Sequence, residues 1–200
     1  MFVTRHSSVT SPELREQLWH LYELAYRRTS EEALCHEMMF RHEFDSALSD
    51  VDNRVWVLWN DQLPIAATVI ATDVSVTRYL SRAYLELHYP EHVLRNAVHC
   101  ILFVVVHPAH VAKGALVRLA RETFAIEAAE GTLLVFDTPR INQPDDTGGL
   151  AEMMFRLASM VSRGAEVDLV EVQRFYAVDF AKGALHRELI VDEVLTRPIS

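Results

Sequence analysis

Residues 101–118 decide the fold: Ile101-Leu-Phe-Val-Val-Val-His107-Pro108-Ala109-His-Val-Ala-Lys113-Gly114-Ala115-Leu-Val-Arg118. An apolar run ending on Val104, Val105 and Val106 stops at a proline, and a helical pattern starts a few positions later. Such a run, rich in β-branched residues, predicts a buried strand of a sheet covered by helices. Gly114 is the first glycine of the chain and falls in the strand-to-helix junction. The first turn of a helix carries unpaired amides and the positive end of the helix dipole, and glycine lets an anion approach that backbone. The junction reads either as a phosphate cradle around Lys113, Gly114, Ala115 and Arg118 or as an ordinary strand–helix connection.

The flanking segments complete an α/β pattern. Phe2–His6 alternates as a short edge strand. Thr10-Ser11-Pro12-Glu13 carries a cap, an early proline and an early acid, so a helix is predicted over Pro12–Arg28. Ser30-Glu31-Glu32 opens a second helix with Leu34, Met38, Phe44 and Leu48 on one side. Arg54–Trp59 and Leu63–Ile70, joined by Asn60-Asp61-Gln62, read as a β-hairpin. Residues 73–95 suggest a short aromatic helix and loop over the sheet, lying on a substrate or simply packed. The buried strand is predicted over Val98–Val106, its helix over Ala112–Ala129, and a further short strand over Thr132–Phe136. Ile141–Gly149 is the clearest loop, Leu150–Ser162 a methionine-rich helix, and Val167–Phe180 a long alternating strand. With no repeat and no linker, the prediction is one domain over 1–200, with a core to 180 and a helix and tail over 181–200.

The chain of 200 residues carries 19 basic and 28 acidic side chains, a formal charge of −9. That balance argues against broad nucleic-acid binding and against docking on anionic lipid, so an anionic ligand would need local cations such as Lys113, Arg118 and Arg121. Cys35 and Cys100 lack metal-type spacing and read as reduced core thiols. His36 and His42 stand six apart, not the four that a zinc-binding helix requires, and no metal is expected. No signal-type segment or membrane-length apolar run is found, which points to a cytoplasmic protein.

The order of elements, together with Val104-Val-Val-His-Pro108 and the helix after it, resembles the GNAT superfamily of acyltransferases, in the manner of a divergent bacterial member. The resemblance implies a mixed sheet of six or seven strands flanked by helices, splayed near Val104–Val106. Its activity would be transfer of an acyl group from acyl-CoA, acetyl-CoA or a carrier-bound thioester to an amine or another small-molecule acceptor. In that family an R/Q-x-x-G-x-G/A turn holds the pyrophosphate of the cosubstrate. The marked positions fall on Val111, Gly114 and Leu116, and only the glycine matches. This departure leaves two alternatives open: a GNAT-fold enzyme with another reaction on an acyl substrate, such as decarboxylation or cyclisation in secondary metabolism, or a non-catalytic binding domain. Phe136-Asp137-Thr-Pro-Arg-Ile-Asn142 and Gln173-Arg-Phe-Tyr176 are similar to a looser pattern in the family, which adds Asn142 to the cosubstrate side. A homodimer is left open.

Acyl transfer from a thioester asks the protein to orient the substrates, polarise a carbonyl and move protons. Backbone amides of Val104–Val106 would polarise the carbonyl. Asp137 follows a buried strand and would be a partly buried base beside the cleft, or else an acid capping its own turn. Tyr176 would protonate the leaving thiolate or serve as a packing residue. His107, directly before the proline, is a further ligand or base.

Overall fold

A computed structural model describes residues 1–34, 36–75, 80–139, 149–172 and 177. The chain divides into two compact units, Met1–Asp168 and Leu169–Ser200. Within the second unit the described residues 169–172 and 177 belong to no helix or strand. The predicted strand Val167–Phe180 is therefore not formed at 167–172, and 173–176 and 178–180 lie outside the described residues, as does most of the loop Ile141–Gly149.

The first unit is an α/β structure with the sheet order β1-β2-β3-β4-β5. β1 (Phe2–His6), β2 (Asn53–Asn60), β3 (Leu63–Ala71) and β4 (Val98–Val106) are antiparallel neighbours, and β5 (Leu133–Val135) joins β4 in parallel. Five strands are present among the described residues. The β2–β3 hairpin closes at Asn60↔Leu63 with Asp61 in the left-handed region, at φ 55°, which suits a two-residue turn.

Helices cover both faces. α1 (Pro12–Glu32) starts as predicted, with the Ser11 hydroxyl accepting from the Leu14 amide and Pro12 in the first turn, but it runs one turn further. α2 (Arg41–Ser49) is shorter than predicted. Leu34 is 82% exposed between the two helices, because α1 ends at Glu32 and the chain needs residues 33–40 to turn back. One core lies between these helices and the sheet: Leu18, Leu21, Tyr22, Phe44 and Leu48 meet Val55, Val57, Val69, Phe103 and Val105. Tyr22, Phe44 and Phe103 pack ring against ring, with centroids 5.1–5.5 Å apart.

The segment between β3 and β4 forms two short helices, α3 (Arg82–His88) and α4 (Pro90–Leu94). On the sheet's other face lies α5 (Ala115–Glu130), preceded by a 3-10 helix over Pro108–Lys113. Ala115, Leu119, Ala120 and Phe124 of α5 pack on Trp56, Leu58, Ala66, Ile70 and Ile101, and α6 (Gly149–Ser159) adds Met154 and Leu157. No helix among the described residues is long and apolar enough to cross a membrane.

A buried ionic network anchors α5. Glu127 accepts from Arg54 of β2 at 2.9 Å, from the Thr132 hydroxyl at 2.9 Å and pairs with His99 Nδ1 of β4 at 2.5 Å. Arg54 also reaches Glu130 at 2.6 Å. Burial opposes the Glu127 charge, but the His99 bond and charge, the Thr132 bond and Arg54 outweigh it and hold the carboxyl below its usual value. A carboxyl depressed on folding stabilises above its unfolded pKa, near 4.5, and that contribution is lost as pH falls through the folded value. Glu127→Gln should therefore cost about 2–4 kcal/mol in urea unfolding at pH 7. The gap from the unsubstituted chain should close as the titration is repeated towards pH 3.

Candidate functional site

β4 is longer than its parallel partner, and a gap in the sheet follows from that mismatch. Pairing with β5 runs from Val98↔Leu133 to Cys100↔Val135 and stops. β4 continues to Val106 with β3 alone on its other side. The His107 amide donates to the Ile65 carbonyl at 2.8 Å, so β4 residues 103, 105 and 107 turn their peptide groups towards β3. By alternation Val104 and Val106 turn theirs to the open side. A register shift between Val69 and Ile70 leaves Leu102 as an extra residue, so the strand is irregular where the parting begins. Val105 is buried in the core under α1 and α2, whereas Val104, on the other face of the strand, is 40% exposed.

Beyond the gap β4 continues through a 3-10 helix to the start of α5. Gly114 is in the left-handed conformation, φ 74°, between the 3-10 helix and α5. The first amide to pair along α5 is that of Arg118, with the Gly114 carbonyl at 3.0 Å, leaving those of Ala115, Leu116 and Val117 ahead of it. A Cβ at Gly114 would meet nothing within 4 Å, so this end of the helix opens onto free space. Lys113 and Arg118 are exposed and, like Arg121, have no carboxylate partner among the described residues. His107 Nδ1 accepts from the Ala109 amide at 3.2 Å and thereby caps the 3-10 helix. The His110 imidazole is held below its usual pKa by burial and then by Lys113 and His107. Val111 is exposed on the 3-10 helix and Leu116 is half-buried in the first turn of α5.

Asp137 lies two residues beyond the last β4–β5 pair. Its side chain is 85% exposed, so the partial burial expected for it is absent. It stands instead 3.9 Å from Nε2 of His36, whose Nδ1 is 3.4 Å from the Tyr26 hydroxyl. No sequence signal marks this His36 contact, because its members come from α1, the α1–α2 connection and the end of β5. Cys100 faces the same region, where burial and then the Asp137 carboxylate push its thiol up to about 11. Asn142 and Tyr176 lie outside the described residues.

A second cleft, of about 490 Å³, lies at the opposite end of β4 between Arg54, Asp73, Arg82, Asn96, His99 and Glu130. Its charges are largely spent on one another: Arg54 on Glu127 and Glu130, Asp73 on the Ser75 amide, Arg82 on Glu86. Within the described residues His99, Glu127 and Glu130 are the group with metal-compatible spacing, all within 4.8 Å. Arg54 already supplies the positive charge there.

No protein-family model matches the chain, and no curated protein matches its sequence. Solved structures do match. An aminoglycoside acetyltransferase from an uncultured soil metagenomic sample, in complex with trehalose, is 12% identical over 89% of this chain and 96% of that chain, with a TM-score of 0.52. The same enzyme in complex with sisomicin gives 12% identity, the same coverage and a TM-score of 0.50. The ribosomal-protein-S18-alanine N-acetyltransferase from Escherichia coli is 10% identical over 78% of this chain and 75% of that chain, with a TM-score of 0.47. The chain has the GNAT fold.

Two outcomes follow from this geometry. Gly114→Ala meets no steric obstacle, so it should cost only the left-handed strain, about 1 kcal/mol by thermal unfolding. Cys100, buried and with its thiol raised to about 11, should resist iodoacetamide at pH 8 in the folded protein and be alkylated once urea unfolds it.

Proposed function

We propose that the protein is an acyltransferase that carries an acyl group from acyl-CoA, or from a carrier-bound thioester, to an amine. The parting of β4 from β5, followed along the chain by the glycine-led start of α5, is the observation that carries this reading. In this reading the pantetheine arm lies in the gap, and the open-side amides of Val104 and Val106 polarise the thioester carbonyl and bind the arm. Such fixed donors stabilise the negative charge that develops on the carbonyl oxygen without reorganising.

The phosphates would meet the Ala115, Leu116 and Val117 amides and the α5 dipole, with Lys113 and Arg118 as counter-charges. The residues fit this role despite Val111 and Leu116, because the αL glycine and the open space above it supply the close approach that small residues normally provide. Val105 faces the core and serves the site by packing alone. His107 shapes the turn through its capping bond. Asp137, at the mouth of the gap beside His36, serves the acceptor side.

Calorimetry with coenzyme A and acetyl-CoA tests the reading. Binding in the micromolar range is expected. Gly114→Glu should abolish it by placing a carboxylate at the anion site, and Lys113→Ala or Arg118→Ala should each weaken it about fivefold to tenfold. An unsubstituted protein that binds neither compound at millimolar concentration would overturn the proposal.

A further inference from the structure

His36 occupies a place that neither core packing nor a cap explains. It sits in the α1–α2 connection with its side chain only 10% exposed, and both ring nitrogens face polar groups from other elements. Tyr26 of α1 stands at Nδ1, 3.4 Å away, and the Asp137 carboxylate stands 3.9 Å from Nε2. That second distance is too long for a hydrogen bond. A nitrogen set beside the pair, about 2.9 Å from each atom, would bridge the two. The position is also set by the sheet. Asp137 follows the last β4–β5 pair by two residues, so the His36–Asp137 gap lies where the strands begin to part. α1 and α2 pack on the sheet face opposite α5. A thioester entering from the α5 end would thus be met from the other face by whatever His36 and Asp137 hold.

Resting on the acyl-transfer reading, we propose that His36 is the proton acceptor for the incoming substrate, a small primary amine seated as its ammonium between His36 Nε2 and Asp137. The exposed carboxylate draws and holds the cation, and the imidazole takes one of its protons. The freed lone pair forms the C–N bond at the thioester carbonyl carbon as the C–S bond breaks and its electron pair leaves on sulfur. A second proton passes from the nitrogen to that thiolate, and the proton on His36 returns to solvent past Asp137. Tyr26 is a positioning residue that holds the ring. Among the described residues, Tyr26 and Asp137 are the titratable groups placed against His36, and the Cys100 thiol on β4 lies beyond Asp137.

The test follows thiol release from acetyl-CoA with spermidine, lysine amide and sisomicin as probe amines, across pH 5.5–9, alongside calorimetric binding of acetyl-CoA. His36→Gln should leave acetyl-CoA affinity unchanged, lower kcat by about 100-fold and remove the acid limb of the kcat profile. Asp137→Asn should act mainly on the amine, raising its KM about tenfold. A His36→Gln protein that keeps kcat within threefold, with the acid limb intact, overturns the proposal. So does an unsubstituted protein that binds acetyl-CoA and acetylates none of the three amines. Absence of acetyl-CoA binding instead overturns the acyl-transfer reading beneath it. If circular dichroism shows His36→Gln to be unfolded, Asp137→Asn at the exposed carboxylate decides, and an unchanged amine KM then refutes the seat.

Discussion

Glu127 is a carboxylate in a place where a lone charge could not stay, and the geometry of the site depends on the partners that let it stay. Arg54 from β2, His99 from β4 and Thr132 from the turn before β5 all converge on it. Removing water from a charge costs several kcal/mol, so the helix end carrying Glu127 can settle only where those groups meet it. From that anchor α5 crosses β2 and β3, where Ala115, Leu119, Ala120 and Phe124 pack on Trp56, Leu58, Ala66 and Ile70. Pinning the Glu127 end of α5 to Arg54 and His99 fixes how the helix lies on the sheet.

The gap between β4 and β5 is the second half of the same construction. Three residue pairs hold the parallel strands together before β5 stops. Among the described residues no strand pairs with the β4 peptide groups beyond Cys100 on that side, and a sheet rarely leaves such groups idle. Beyond Val106 the chain passes through the 3-10 helix into the start of α5. In the acyl-transfer reading proposed above, the strand would supply donors along a thioester arm, and the helix start would supply amides, dipole and cations for its phosphates.

The two helical layers divide the labour. In the acyl-transfer reading α5 would serve the donor side of the gap, while α1 and the connection to α2 bring Tyr26 and His36 to the opposite face of the sheet. The aromatic packing of Tyr22 and Phe44 on Phe103 fixes α1 and α2 against β4, so the polar groups borne by α1 and its connection are held by a rigid core and not by the loop alone. Cys100 lies close to these groups, yet burial keeps its thiol protonated and takes it out of the chemistry.

Patterns local to the chain were legible in the sequence. The apolar run of β4, the Ser11-Pro12 start of α1, the Asn60–Leu63 turn and the glycine at the head of α5 each express a short-range rule: burial period, capping, or backbone freedom. Those rules also sufficed for the α/β class and for the GNAT resemblance, since both depend on element order. Where a local pattern ran past its cap the reading failed, as at Leu34, which matches helical spacing but falls after α1 has ended. Tertiary structure alone decided which charges meet. Nothing near Glu127 in sequence announces Arg54 or His99, and nothing near Asp137 announces His36. Nor could the exposure of Asp137 be read from the strand before it, because that depends on where β5 stops pairing. Such contacts join residues far apart along the chain, and only the packed sheet and its two helical layers bring them within reach of one another.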